Sequence, residues 1–176
     1  MIFTLTPIEG AYVIDIEPIK DDRGYFARAF CVEEFSKRGL QTEFVQHNTS
    51  YNIKKGTVRG LHYQLPPHEE VKLVRCISGR IFDVIVDVRR DSRTYLHWFS
   101  AELSEDNGKA LYVPRGFAHG FQSLTDNSAL YYMASAYYQK DYETGLCWND
   151  EKLNITWPIF DNIIISEKDK CMGTGG

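Results

Sequence analysis

In the stretch RIFDVIVDV (residues 80–88), Phe82, Val84, Val86 and Val88 fall on one face and Asp83 and Asp87 on the other. A period of two marks a β-strand with one buried face, as antiparallel sheets use. The same period runs through AYVIDIEPI (11–19), YFARAFC (25–31), GTVRGLHYQ (56–64), VKLVRCIS (71–78), HWFSAELS (97–104), KALYVPRG (109–116), HGFQSL (119–124) and ALYYMASAYY (129–138). Turn residues punctuate it at Asp22-Arg23-Gly24, Ser78-Gly79, Asp106-Asn107-Gly108, Pro114-Arg115-Gly116 and Thr125-Asp126-Asn127. Only VEEFSKRG (32–39) reads as helix, with Gly39 as its C-terminal cap. Many short strands in succession predict an all-β sandwich, jelly roll or barrel, and 176 residues without a low-complexity linker predict one domain over 1–176.

Composition changes this picture little. Hydrophobic residues at 43% and charged residues at 25% suit a folded globule, and 11 Tyr and 10 Phe favour strands. A net charge of −4 argues against general attraction to nucleic acid or an anionic membrane, so an anionic ligand needs a local basic cluster. No apolar run reaches membrane-spanning length, and Pro7, Glu9 and Gly10 interrupt what a signal peptide would keep apolar. Cys31, Cys76, Cys147 and Cys171 are too widely spaced for a zinc motif or a disulfide scaffold, which predicts a reducing, cytoplasmic location.

Two segments carry chemistry at a countable spacing. The first runs from Gly56 through His62 and Gln64 to Gly79; the second runs from Gly108 through Pro114-Arg115-Gly116 to His119. Both resemble the paired motifs of the cupin superfamily, which implies a double-stranded β-helix (cupin jelly roll) with one or two short helices. Metal-binding cupins place a second histidine where this chain has Gln64, and Lys72 follows close behind Glu69 and Glu70. A metal site needs three or more N, O or S ligands, and an ammonium opposes a divalent cation, so no metal is expected.

The ordered set DDRGYF, FVQHNTS, RGLHYQ, KLVRCISGRIFDVIVDVRRDSRTY, VPRGFAHGF, LYYMASAYY, YETGLCW and SEKD resembles the dTDP-4-dehydrorhamnose 3,5-epimerase family over nearly the whole chain. The resemblance implies a homodimer without cofactor that acts on a nucleotide-linked 4-keto-6-deoxy sugar. A hydrogen beside a ketone is acidic because its carbanion delocalises as an enolate. Epimerisation therefore needs a base on one face, an acid on the other and a cation or donor at the keto oxygen. Histidine, with an ordinary pKa of about 6.5, suits the base. The resemblance assigns that role to His62, oriented by Asp169, the acid to Tyr132, and the keto-oxygen contact to Lys72.

Parity adds what the residues say unaided. Lys72 shares a strand face with Val74 and Cys76, where an ammonium is costly without a partner or a task. Tyr132, Ala134, Ala136 and Tyr138 alternate onto one face, two phenols flanking small residues. Arg59 has the wrong parity to join His62, but Gly60 between them permits a bulge that turns both inward. By resemblance Arg23, Arg59 and Lys168 form the basic cluster for diphosphate and sugar. Phe26, Gln46, Asn48, His119, Tyr138 and Glu143 complete the substrate contacts. Arg23 and Phe26 are implied to cross, on an exchanged N-terminal strand, to the partner's site.

Arg89, Arg90 and Arg93 read as solvated surface, and His47, His68 and His97 carry no argued role. One departure stands out: Arg28 occupies a position where the family usually has Glu, which reverses charge and exchanges acceptors for donors. The nucleobase therefore stays open among dTDP, CDP and GDP. The rival readings are a mono-epimerase, a 3,4-ketoisomerase and a non-catalytic sugar-binding cupin.

Overall fold

The computed structural model describes residues 1–170; Cys171 lies outside them. Its strands are β1 (Ile2–Leu5), β2 (Tyr12–Asp15), β3 (Ile19–Asp21), β4 (Gly24–Phe26), β5 (Gln46–Asn52), β6 (Val58–Gln64), β7 (Lys72–Ser78), β8 (Arg80–Asp87), β9 (Trp98–Ser104), β10 (Ala110–Val113), β11 (Phe117–Ser123), β12 (Ser128–Ala134) and β13 (Glu143–Gly145). Two short helices, α1 (Val32–Ser36) and α2 (Glu167–Lys170), accompany them.

Six strands pair in the order β1-β2-β10-β7-β12-β5 and five in the order β13-β6-β11-β8-β9, while β3 and β4 form a separate hairpin. The strand pairings are antiparallel. The two larger sheets face each other across one core: Val74, Leu111 and Leu130 from the first meet Ile81, Ile85, Leu103 and Phe121 from the second. The period of two predicts a sandwich, jelly roll or barrel, and the structure is the jelly roll that the cupin resemblance implies.

Each sheet is also covered outside. Phe35 of α1 packs with Leu73, Tyr112 and Met133 behind the six-stranded sheet. Leu153, Ile155 and Trp157 pack with Val84, Val86 and Ala118 behind the five-stranded one. That second cover corrects the reading of β8 as half-buried. Its apolar face lies under the C-terminal segment, and Asp83 and Asp87 point into the protein with no exposed surface. Buried carboxylates need partners. Asp87 accepts hydrogen bonds from Arg89, Ser92 Oγ and Thr94 Oγ1, at 2.7 Å for Arg89 Nη2 and for Thr94. Arg89, though about a third of its side chain stays in water, is therefore no free surface charge: it forks onto Asp87 and lies 4.7 Å over the Phe117 ring.

Other differences have local causes. AYVIDIEPI divides into β2 and β3 around Pro18, which has no N–H to donate. YFARAFC is strand only through Phe26, and ALYYMASAYY stops at Ala134, after which the Ser135 N–H bonds Val71 O. The predicted helix ends at Ser36, with Gly39 at φ +66° closing it. Periodicity missed β5 because QHNTSYN is a polar edge strand.

Candidate active site

His62 sits near the centre of β6, opposite His119 of β11 and Gly145 of β13. The β6–β11 register shifts between His119 and Phe121, where Gly60 lies at φ +100°. A Cβ at Gly60 would stand 2.5 Å from Gly120 Cα and 2.6 Å from His119 O, so only glycine fits. The irregularity resolves the parity conflict: Arg59 and His62 both line one cavity of about 410 Å³. Lys72, His119, Tyr132 and Asp169 line it too. Arg59 is held there by Nε donating to Asn52 Oδ1 at 2.7 Å.

His62 Nε2 lies 2.7 Å from Asp169 Oδ1. Burial pushes the Asp169 carboxyl up, but the hydrogen bond and charge of His62, the Gly60 amide and Ser166 outweigh it and hold it below the usual range. An ionised carboxylate only accepts, so the ring proton belongs on Nε2 and Nδ1 is the basic nitrogen. Asp169 reaches His62 from α2, whose first turn is tied down by the Asp169 N–H bonding Ser166 Oγ at 3.2 Å.

Tyr132 of β12 is half-buried. Burial raises its phenol pKa and the negative charge of Glu70 raises it further, against the opposing Arg59. The hydroxyl thus keeps its proton at neutral pH. Lys72, at the start of β7, pairs through Nζ with Glu70 Oε1 at 2.9 Å. His119 Nε2 meets Asp83 Oδ1 at 2.8 Å, while Asp83 Oδ2 has no partner among the described residues.

A second hollow of about 130 Å³ shares His62, Lys72 and Tyr132 and adds Gln46, Asn48, Glu70, Tyr138 and Glu143. Although Tyr138 lies beyond β12, its N–H donates to Gln46 Oε1 at 2.6 Å and its hydroxyl to Glu143 Oε2 at 2.7 Å. Lys168 Nζ donates to the same oxygen at 2.6 Å. Burial pushes Glu143 up, yet Lys168 and Tyr138 bring it below the usual range; that bond in turn raises both of their pKa values.

Gln64, at the position of a metal-binding cupin's second histidine, is spent on backbone. Its amide donates to His68 O at 2.9 Å and Tyr137 O at 3.3 Å, and its oxygen accepts the Gln139 N–H at 2.6 Å. Among the described residues no group of three or more His, Cys, Asp or Glu could hold a metal ion.

Arg23 and Phe26 are not brought to this cavity. They stand on the β3–β4 hairpin beside a separate hollow, with Arg23 paired to Asp21 and Phe26 73% exposed. Sequence reasoning missed Glu70 and Asp83 as partners of Lys72 and His119. The available signal was the cost of burying a lone charge, which requires a counter-charge nearby.

The family profile described as dTDP-4-dehydrorhamnose 3,5-epimerase matches residues 5–174. The dTDP-4-dehydrorhamnose 3,5-epimerase of Methanothermobacter thermautotrophicus is 42% identical over 170 residues, 96% of this chain and 91% of the relative. The crystal structure of that enzyme from Elizabethkingia anophelis superposes with a TM-score of 0.93 at 40% identity, covering 97% of this chain and 93% of the other. The Bacillus anthracis structure with TDP and PPi bound also gives 0.93, at 39% identity and 97% of both chains. With sequence and fold matched over nearly full length in both partners of each comparison, this chain belongs to the dTDP-4-dehydrorhamnose 3,5-epimerase family.

Proposed function

We propose that this chain inverts carbon 5 and carbon 3 of a dTDP-linked 4-keto-6-deoxyhexose through an enolate, in the formation of dTDP-rhamnose-type sugars. The observation that carries this reading is the His62–Asp169 pair at 2.7 Å on the wall of the cavity that Tyr132 and Lys72 also line. His62 Nδ1 removes the proton beside the keto group, and Asp169 stabilises the imidazolium that results. Lys72 stabilises the developing oxyanion. Tyr132, kept protonated by its surroundings, returns a proton to the opposite face. The reaction moves protons and leaves the oxidation state unchanged, so it requires no redox cofactor.

Arg59, Lys168, His119, Gln46, Asn48, Tyr138 and Glu143 hold the nucleotide sugar. The working unit is a single domain in a cytoplasmic homodimer, with Arg23 and Phe26 serving the partner's cavity. Support for the dimer comes from the hairpin, where Ile19, Tyr25 and Phe26 are 72%, 57% and 73% exposed. Contiguous exposed apolar surface of this kind marks an interaction site. No helix among the described residues is long and apolar enough to cross a membrane.

The test is to incubate the protein with dTDP-4-keto-6-deoxyglucose in deuterium oxide and count deuterium at carbons 3 and 5 by mass spectrometry. Label at both positions with inversion is the expected result. Label at one carbon makes it a mono-epimerase, rearrangement to a 3-keto sugar makes it a ketoisomerase, and no label makes it a binder.

A further inference from the structure

The loop between β6 and β7 delivers a carboxylate into the half-enclosed hollow beside the cavity. Glu70 keeps 14% of its side chain in solvent and Lys72 keeps 11%, so this pair has lost most of its water. A desolvated ion pair with one partner removed leaves a buried, uncompensated charge. The pair also looks onto reacting groups, since the hollow that holds Glu70 and Lys72 holds His62 and Tyr132 as well.

An ammonium on a four-carbon stem has rotamer freedom, and a donor that wanders stabilises an oxyanion poorly. Glu70 removes that freedom. Its Oε1 lies 2.9 Å from Nζ, an ion pair that tethers the ammonium at the wall of the cavity that Lys72 lines. The short link between the residues holds this geometry. Lys72 is the first residue of β7, Val71 is buried, and the Val71 N–H is bound to Ser135 Oγ at 2.8 Å, so the backbone between the two charges is fixed.

We infer that Glu70 is a positioning residue for the reaction proposed above: it acts through Lys72, fixing the ammonium where the substrate's keto oxygen becomes an enolate oxygen. Because enolate formation precedes reprotonation, a fault in Lys72 slows removal of the substrate hydrogen itself. A fault in Tyr132 leaves that removal intact. Loss of Glu70 therefore carries the signature of the first kind.

The experiment compares Glu70→Ala with Glu70→Gln, whose amide oxygen still accepts from an ammonium without the charge. In Glu70→Ala, deuterium exchange and inversion fall together by roughly 10- to 100-fold, as for a misplaced catalytic group, with KM changed little. Glu70→Gln recovers most of that loss. A loss carried by KM, exchange at the wild-type rate in Glu70→Ala, or a Glu70→Gln as poor as Glu70→Ala overturns the inference.

A second measurement is independent of turnover. A lysine ammonium held in a desolvated ion pair gives a 1H–15N correlation, assigned here by its absence in Lys72→Met. It should vanish in Glu70→Ala and persist in Glu70→Gln; persistence in Glu70→Ala overturns the pairing. If the wild-type protein exchanges no deuterium, the proposed reaction falls, and the ammonium signal still decides whether Glu70 holds Lys72.

Discussion

Two carboxylates with the same 2.7 Å contacts do different work in this molecule. Asp87, at the end of β8, is surrounded: Arg89 forks onto it, and the Ser92 and Thr94 hydroxyls take up what remains. Its acceptor capacity faces fixed donors, which is how a buried charge stabilises a fold. Asp169 instead holds one ring nitrogen of His62 and leaves the rest of that ring on the wall of an open cavity. A saturated network serves structure, and a pair with a ring nitrogen left on a cavity wall is the arrangement proposed above to serve chemistry. Lys72 with Glu70 follows the second pattern.

That contrast breaks if the two regions respond alike to mutation. The largest effect belongs to His62→Ala, which removes the proposed base: exchange and inversion should both fall at least the roughly 10²–10⁴-fold typical of a positioned base. Thermal stability should fall less than in Asp87→Ala, because the Gly60 amide and Ser166 still hold the Asp169 carboxylate. Equal destabilisation and activity loss, tracked by melting and by turnover per folded molecule, would make His62 a packing residue.

Asp87→Ala should do the reverse. Removing the carboxylate strands Arg89, at a cost of about 3 kcal/mol, the low end for a buried pair because Arg89 keeps 35% of its side chain in water. Turnover per folded molecule should hold, as denaturant titration and kinetics on the same sample would report. Acid adds a second check. Burial pushes Asp87 up, yet Arg89, Ser92 and Thr94 bring its pKa down to about 2. A group depressed on folding stabilises above its unfolded pKa of about 3.9 and loses that contribution as pH falls through the folded value. Asp87→Asn should therefore flatten the stability curve between about pH 4 and pH 2.

The smallest effect is expected from Arg28→Glu. Arg28 sits 3.5 Å from Glu34, 62% exposed and outside this cavity, in a hollow that Phe26 also lines. Because it would cross with Phe26 to the partner's site, the change should alter preference among dTDP, CDP and GDP sugars more than the turnover number. Equal losses for all three nucleotides would assign Arg28 to folding or to the dimer.

The fold was legible because its central strands alternate, and a period of two survives even where both faces are covered. What alternation conceals is the second cover: Leu153, Ile155 and Trp157 close over β8 from far along the chain, and no local pattern announces that. Strand β5 escaped because an edge strand need not be apolar, and β1 and β13 because three or four residues carry too little pattern. At the site, the parity conflict of Arg59 and His62 with Gly60 between them pointed to the irregularity found there. Glu70 went unread because parity flagged Lys72 as needing a partner without saying which carboxylate reaches it, and Asp83 because the burial of His119 appears only in three dimensions.

The central claim is that base and acid face the substrate from opposite sides, and Tyr132→Phe tests it most directly. This variant removes one hydroxyl and leaves the ring packing nearly intact. In deuterium oxide it should still exchange substrate hydrogen, with retention, because His62 can return a deuteron from its own side. Inversion should be lost. Exchange and inversion falling together in Tyr132→Phe would contradict the account, since the phenol would then be needed to make the enolate and not to reprotonate it.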